Sequence, residues 1–345
     1  MPEGLTATTN PEPRLSETLG EEGAIVTPGK ESNSSQVARE YTAKEAAFSC
    51  AIVPNSGGDA VECTFDGELS PYEELIMNIR VAVSAKTAST PLANAERACK
   101  EEKVLCNSVT VTGGEAKEAT LQRPLKVNDE STRFGVEAYE VVAENQEFAP
   151  DTQAGAHPFQ LTTTLALNQV YEWQYQNGGP LRRDPQSPDL PKDLSFRLPA
   201  GLIGNVNAVP ECSAVDFGAQ VASGTDGCSS ETAVGVVSVT FNDPPSLLHN
   251  TFVVPVFNLA PEPGEPARFG FDIDHVPVAI DTSVRTGEDY GVTVSVQNTS
   301  EAVQVLATRL TIWGIAGDRL HDQSRGWTCL KAGNEAFREH HPCEA

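Results

Sequence analysis

Basic residues are scarce in this chain: 24 lysines and arginines stand against 48 aspartates and glutamates, which gives a formal net charge of -24 over 345 residues. Such a chain repels nucleic acid and anionic lipid, because binding to phosphate groups needs clustered lysine and arginine that displace counterions. Nucleic-acid partners are therefore excluded. The negative charge also favours solubility outside the cell.

Long apolar runs are missing as well. No stretch reaches the roughly 18 apolar residues that a transmembrane helix needs, so no membrane-spanning segment is expected. The opening residues, MPEGLTATTNPEPRLSETLGEEG, have neither a basic region nor an apolar core and do not form a signal peptide.

The eight cysteines fall into four close pairs, none with the Cys-x-x-Cys spacing of a zinc or redox site. Since the number is even and near neighbours close the cheapest loops, we predict four local disulfides. They are Cys50–Cys63, Cys99–Cys106, Cys212–Cys228 and Cys329–Cys343. Disulfides persist outside the reducing cytosol, so the chain is predicted to be extracellular or cell-wall associated. Without a signal peptide, it is expected to be a fragment or to have a misplaced start.

Turn residues and alternating apolar residues predict an all-β fold of tandem immunoglobulin-like β-sandwich domains with long polar loops. AFSCAIV and VECTF flank an NSGGD turn and predict a hairpin. Apolar residues at every second position of 75–83 predict one strand with one buried face. The segment 177–193 is polar and rich in proline, and it is predicted to form an exposed loop. Further strands are predicted at 159–168, 193–199, 233–241, 251–259, 267–273, 290–298 and 306–314.

Two domains are expected: a first sandwich over 1–128 with a mobile loop at about 6–38, and a second, larger one over 129–345. MPEGLTA (1–7) echoes LPAGLIG (198–204), and the second copy follows the strand DLSFRLP. Because no strand precedes the first copy, the first domain is expected to be truncated at its start.

Three motifs carry a resemblance to a known family: the Pro-x-Gly-Leu motif, PYEELIMNIRVAV (71–83) and NSVTVTGG (107–114). Together they resemble the bacterial surface-repeat family called domain of unknown function 11. Residues 151–345 are similar to large uncharacterised secreted proteins of soil bacteria, through segments such as LPAGLIGNVNAVPEC and WGIAGDRLHDQSRGWTCL. The resemblance implies immunoglobulin-like repeats in a cell-wall or secreted protein, and no catalytic residues.

Asp318, His321 and Asp322 in DRLHD are the first candidates for chemistry, since a histidine beside carboxylates can act as a general base or a metal ligand. The alternative, which we favour, is an exposed charged turn in which Arg325 pairs with Asp318 or Asp322. No Gly-x-Ser-x-Gly, His-Glu-x-x-His or phosphate-binding glycine loop occurs.

Metal sites have two weaker candidates. His340 and His341 lie between Cys329 and Cys343, which would allow zinc, but the spacing and the exported context favour a disulfide. Asp272 and Asp274 beside His275 would attract Ca²⁺, yet the alternating oxygen ligands of an EF-hand loop are absent. We therefore predict no metal and no cofactor, with Ca²⁺ as the alternative.

Aromatic residues supply one candidate binding patch. Trp173 lies with Tyr171 and Tyr175 in the polar stretch YEWQYQNGG and is a candidate for stacking on sugar rings. Trp313, in an apolar strand, is expected in the core.

The sequence predicts a non-enzymatic structural or interaction module of a secreted or cell-surface bacterial protein. Its expected partners are other domains of a longer surface protein, cell-wall glycan or another surface protein. The alternative is a carbohydrate-active hydrolase or glycan-binding module on a β-sandwich, for which acids would have to converge with an aromatic platform in a concave pocket.

Overall fold

The computed structural model describes residues 5–7, 12–15, 48–54, 59–67, 72, 75–79, 81–84, 99, 105–125, 131–174, 182–223, 227–243, 248–273, 276–287, 289–301 and 304–326. Over these ranges the chain is all-β, with a single α-helix, α1 (Ala214–Ser223). Short 3-10 helices occur at Val206–Ala208, Ser230–Thr232 and Arg319–Ser324. Within the same ranges, no helix has the length and apolar character to cross a membrane.

The first of two compact units comprises Met1–Leu15, Arg39–Glu68 and Leu75–Ser131. Its described strands form four antiparallel pairs. The pairs are β1 (Leu5–Ala7) with β6 (Val81–Val83), β2 (Glu12–Leu15) with β5 (Leu75–Asn78), β3 (Phe48–Val53) with β4 (Ala60–Phe65), and β7 (Leu105–Gly113) with β8 (Ala116–Leu125). β2 and the last two residues of β1 lie within the predicted loop at about 6–38, and the rest of that loop lies outside the described residues, so its mobility stays a prediction.

The single strand predicted over residues 75–83 is also wrong. The chain forms two short strands there, and each pairs with a different partner, β5 with β2 and β6 with β1. Met77, Ile79, Val81 and Val83 are exposed rather than buried on one face. The alternating pattern describes the local backbone correctly, but it does not report that the pairing partner changes between Asn78 and Val81.

The β3–β4 hairpin confirms the first predicted disulfide. Cys50 and Cys63 lie directly opposite each other in its register, and their Cα atoms are 4.1 Å apart. Cys99 and Cys106 are also bonded, with Cα atoms 5.6 Å apart. Both bridges therefore join cysteines that are close in the sequence of the first unit, as near-neighbour pairing predicts.

The second unit comprises Ser16–Ala38, Leu69–Glu74 and Thr132–Ala345. Its main element is an antiparallel nine-stranded sheet with the strand order β13-β18-β17-β16-β15-β14-β19-β10-β9. The strands are β9 (Val136–Glu144), β10 (Gln160–Leu167), β13 (Leu194–Arg197), β14 (Ala233–Asp243), β15 (Leu248–Leu259), β16 (Arg268–Ile273), β17 (Val276–Val284), β18 (Val292–Val296) and β19 (Gln304–Trp313).

A separate two-stranded sheet pairs β11 (Val170–Gln174) with β12 (Arg182–Gln186). β12 lies within the segment 177–193, so the prediction that this whole segment is a loop is wrong. Its single proline within the strand, Pro185, is compatible with pairing because the strand has a partner on one side only in this sheet.

The core of the second unit forms around β14 and β15. Residues 233–241 of β14 and 252–257 of β15 are rich in valine and phenylalanine, as expected for strand segments that are buried on both faces. Phe241 on β14 stacks on Phe252 on β15, with ring centroids 4.8 Å apart. By contrast, β10 alternates buried and half-buried residues and packs mainly one face.

The sheet is curled, because its two edge strands meet. Tyr139 on β9 stacks on Phe196 on β13, with ring centroids 5.6 Å apart. The right-handed twist of antiparallel strands accumulates over nine strands and brings distant edges together in this way. Immunoglobulin-like tandem sandwiches remain a prediction.

Helix α1, which the sequence did not predict, covers part of this sheet. Ser213 begins it by accepting a hydrogen bond from the backbone N–H of Asp216 (3.1 Å). Phe217 is buried against the core. The bridge Cys212–Cys228, with Cα atoms 5.4 Å apart, encloses the helix and confirms the third predicted disulfide. The fourth predicted pair, Cys329–Cys343, lies outside the described residues.

Candidate functional site

His321 lies in the second unit at the centre of an aromatic stack. Its ring packs between Phe159 and Trp313, with both centroid distances 4.5 Å and interplanar angles of 22° and 15°. Phe148 contacts the outer side of Phe159 edge-on at 6.2 Å. His321 is only 2% exposed, so the prediction that DRLHD is a fully exposed turn is wrong for this residue.

The turn that carries His321 is held by the charged residues beside it. Arg325 forms an ion pair from Nε to Oδ1 of Asp322 at 2.9 Å, which confirms the predicted pairing. It also donates hydrogen bonds to the carbonyl oxygens of Ala316 and Asp318. Oδ1 of Asp318 accepts from the backbone N–H of Leu320 (2.9 Å) and caps the 3-10 helix Arg319–Ser324. The acidic residues of DRLHD therefore fix the backbone of the turn.

A chain of side-chain hydrogen bonds begins at Trp313. Its indole Nε1–H donates to the hydroxyl oxygen of Tyr72 (2.8 Å), and that hydroxyl donates to Oε1 of Gln160 (3.3 Å). Nε2 of Gln160 donates to Oε2 of Glu144 (2.7 Å). The same oxygen of Glu144 accepts from Thr162 (2.7 Å). This polar chain satisfies groups that are buried or half-buried on β9, β10 and β19.

Burial sets the titration of both ionisable rings. It lowers the pKa of His321 to about 4 from its usual 6.5, and the nearby positive charge of Arg325 acts in the same direction, against smaller opposite effects of Asp318 and Asp322. Burial also raises the pKa of Tyr72 above its usual 10, against the hydrogen bond from Trp313. Both rings are therefore neutral at pH 7.

This arrangement is suited to packing rather than to proton transfer. A general base works best with a pKa near the operating pH and with access to the substrate. His321 has neither in this conformation, since both of its ring faces are covered by aromatic neighbours. The oxygen of Glu144 that accepts two hydrogen bonds is likewise engaged within the fold.

The predicted aromatic patch is described only in part. Tyr171 and Trp173 lie on β11, where their backbones pair with Pro185 and Arg183 of β12. Tyr175 lies outside the described residues. The stacking role of this patch therefore stays a prediction.

The two metal candidates also stay untested. His340, His341, Cys329 and Cys343 lie outside the described residues, as do Asp274 and His275. Asp272 is buried on β16. No group of three or more histidine, cysteine or acidic side chains with the geometry of a metal site occurs in the described ranges.

A shallow depression of about 260 Å³ lies beside α1, lined mainly by apolar residues such as Phe217, Leu259 and Pro277. Arg268 lines it as well, but its guanidinium is engaged by Glu262 (3.0 Å) and Asp281 (3.1 Å). No sequence pattern indicates this feature, because its lining combines the helix α1 with residues of β15, β16 and β17 that follow it much later in the chain.

Comparison with family models, with curated proteins and with solved structures finds no match for this chain. The resemblance to bacterial surface repeats therefore stays a prediction, and a function has to be argued from the residues themselves.

Six residues of the stack and the polar chain were not candidates from the sequence: Phe148, Phe159, Tyr72, Gln160, Thr162 and Glu144. Phe159, Gln160 and Thr162 had a usable signal, since they lie in the strand predicted over 159–168. Tyr72 itself has a left-handed backbone (φ 62°), and nothing local in the sequence indicates that it contacts Trp313.

Proposed function

We propose that this chain is a non-enzymatic structural or interaction module of a secreted or cell-surface bacterial protein. The observation that carries the proposal is the position of His321. The residue with the strongest sequence case for acid–base chemistry is packed between Phe159 and Trp313 and is neutral at pH 7. Its acidic neighbours cap and pair within the turn.

The disulfides support the exported location. Three bridges are closed among the described residues, and two of them staple the first unit, whose described strands form only two-stranded pairs. Two-stranded sheets are marginally stable alone, and small β units gain from covalent closure in an oxidising compartment. The proposal includes an immunoglobulin-like architecture repeated in a longer surface protein, with other domains, glycan or surface proteins as partners.

A glycan assay tests the absence of catalysis. The purified chain is incubated with peptidoglycan sacculi and with soluble polysaccharides, and released reducing ends are compared with a heat-denatured sample. We expect no release above that background. Release that disappears in Glu144→Gln or His321→Phe, while circular dichroism of the variant is unchanged, would overturn the proposal in favour of a hydrolase.

The same samples test the location and the alternative of glycan binding. Thiol titration in denaturant should find no free thiol among the eight cysteines of protein made in an oxidising compartment. Four or more free thiols would contradict an exported module. Co-sedimentation with sacculi that is lost in Trp173→Ala would identify the interaction as glycan binding through the β11 patch.

A further inference from the structure

The turn that follows β19, residues 314–326, is docked on the rest of the second unit through a titratable ring. His321 supplies the central layer of the stack between Phe159 and Trp313. The Nε2 atom of His321 and the Oγ atom of Ser324 are both buried, and neither has a hydrogen-bond partner among the described residues. The ring itself is therefore held by packing, and its burial favours the uncharged imidazole. Hydrogen bonds also hold the segment: the N–H groups of Gly314 and Ile315 donate to the carbonyl oxygen of Phe159 (2.7 and 3.4 Å), and Gln146 donates to Asp318 (3.4 Å).

From this geometry we infer that the segment 314–326 is an acid-sensitive latch, which is docked when the His321 ring is neutral and undocks when the ring takes up a proton. The proposal does not depend on the function proposed above, because it concerns a local opening of the fold. It needs no ligand and no partner.

The charges around the ring favour the neutral state. On the turn itself, Arg325 is buried beside the ring, paired with Asp322, and its guanidinium lies 5.8 Å from the centroid of Trp313. Asp318 and Asp322 attract a proton to His321, but burial and Arg325 together outweigh them. A proton on His321 would therefore place a second cation next to Arg325 in a site that is closed to water.

Among the described residues, the other elements packed against the stack add no compensating charge at the ring. Phe159 and Trp313 contribute aromatic faces. Glu144 is reached from Trp313 only through Tyr72 and Gln160, and its Oε2 already accepts two hydrogen bonds. Aromatic faces attract cations, which offsets part of the cost, but that attraction is small beside the desolvation of a buried imidazolium.

The direction of the effect follows from linkage. In the docked turn the pKa of His321 is about 4, and in the undocked turn it returns to about 6.5. The docked state therefore keeps its full stability above about pH 6.5 and loses it progressively as the pH falls towards 4. From these two values, the equilibrium constant for undocking should rise roughly 30-fold between about pH 7.5 and about pH 5.

Hydrogen exchange read by mass spectrometry tests the latch on the intact chain with its disulfides closed. Protection, corrected for the intrinsic pH dependence of exchange, is compared at about pH 7.5 and pH 5 for peptides covering 314–326 and for peptides covering β15. We expect protection of 314–326 to fall by about 30-fold while β15 is unchanged. Equal loss in both regions would overturn the local latch.

Two variants separate His321 from the other titrating groups. His321→Phe keeps a flat ring in the stack but cannot take up a proton, so its protection at 314–326 should be independent of pH over this range. His157→Phe replaces an exposed histidine of the same unit and should retain the full response. A pH response in His321→Phe equal to that of the original chain would refute the proposal.

A measurement on the unaltered chain covers the case in which His321→Phe fails to fold. Proton NMR of the imidazole Cε1–H resonances follows all six histidines without a substitution. One resonance should titrate below about pH 5, well under the usual range. If all six titrate above about pH 6, His321 is not held neutral and the latch is wrong.

Discussion

The hydroxyl group of Tyr72 gives the sharpest test of how the second unit is held together. It accepts the indole N–H of Trp313 at 2.8 Å and donates to Oε1 of Gln160 at 3.3 Å. Trp313 and Gln160 are each 3% exposed, so neither can replace a lost partner with bulk water. Tyr72→Phe removes both hydrogen bonds and leaves the ring in place.

The expected loss can be estimated from the group that is left unpaired. A buried donor without a partner costs its desolvation penalty of about 1–3 kcal/mol. The indole N–H is such a donor, whereas the longer bond to Gln160 contributes less because Gln160 keeps its bond to Glu144. We therefore expect Tyr72→Phe to lower the free energy of unfolding by about 2 kcal/mol.

Urea unfolding of the disulfide-intact protein, followed by circular dichroism, measures this loss. Tyr290→Phe is the matched control, because Tyr290 is 74% exposed and the same change there should stay within about 0.5 kcal/mol. A loss in Tyr72→Phe no larger than in the control, at an unchanged slope with urea, would refute the role of the hydroxyl.

Three further outcomes are expected. Gly235→Ala should lower the free energy of unfolding by about 4 kcal/mol or more, or abolish folding, because the new Cβ would clash with the carbonyl oxygen of Thr311. The control Gly204→Ala has open space around its Cβ, and its free energy of unfolding in urea should be nearly unchanged. Replacing Cys212 and Cys228 together by serine should cost about 3 kcal/mol, seen as a lower urea midpoint, and an unchanged midpoint would contradict this. Arg285→Lys should lower the melting temperature of the protein. The guanidinium of Arg285 donates to both carboxylate oxygens of Asp289 and to two backbone carbonyl oxygens, and the single ammonium group of lysine cannot form all four hydrogen bonds.

Composition and local pattern predicted the parts of the fold that depend on near neighbours. The valine- and phenylalanine-rich runs within β14 and β15 predict strands, because such short apolar runs of β-branched and aromatic residues are typical of strands buried on both faces. The disulfides Cys50–Cys63, Cys99–Cys106 and Cys212–Cys228 were predictable because each closes a short loop.

Contacts between distant segments were not predictable in the same way. The residues flanking His321 are charged, so the local pattern indicates an exposed turn, and nothing in that pattern reveals the rings of Phe159 and Trp313. The strand at β12 was missed for a related reason. Its residues are polar, and its pairing with β11 becomes visible only when the hairpin is assembled. Burial depends on long-range packing, and local polarity is only a weak guide to it.

Trp313 connects the two features that distinguish the second unit. Its ring face packs on His321, and its Nε1–H, at the ring edge, is bonded to Tyr72. The stacking contact and the hydrogen bond involve different parts of the indole, so Trp313 can form both at once. This side chain therefore contributes both to the docking of the turn and to the polar chain that ends at Glu144. In this cluster, His321 and Glu144 are thus engaged in contacts within the fold. Since a working acid or base must instead be reachable by substrate, this arrangement favours a structural role for the cluster.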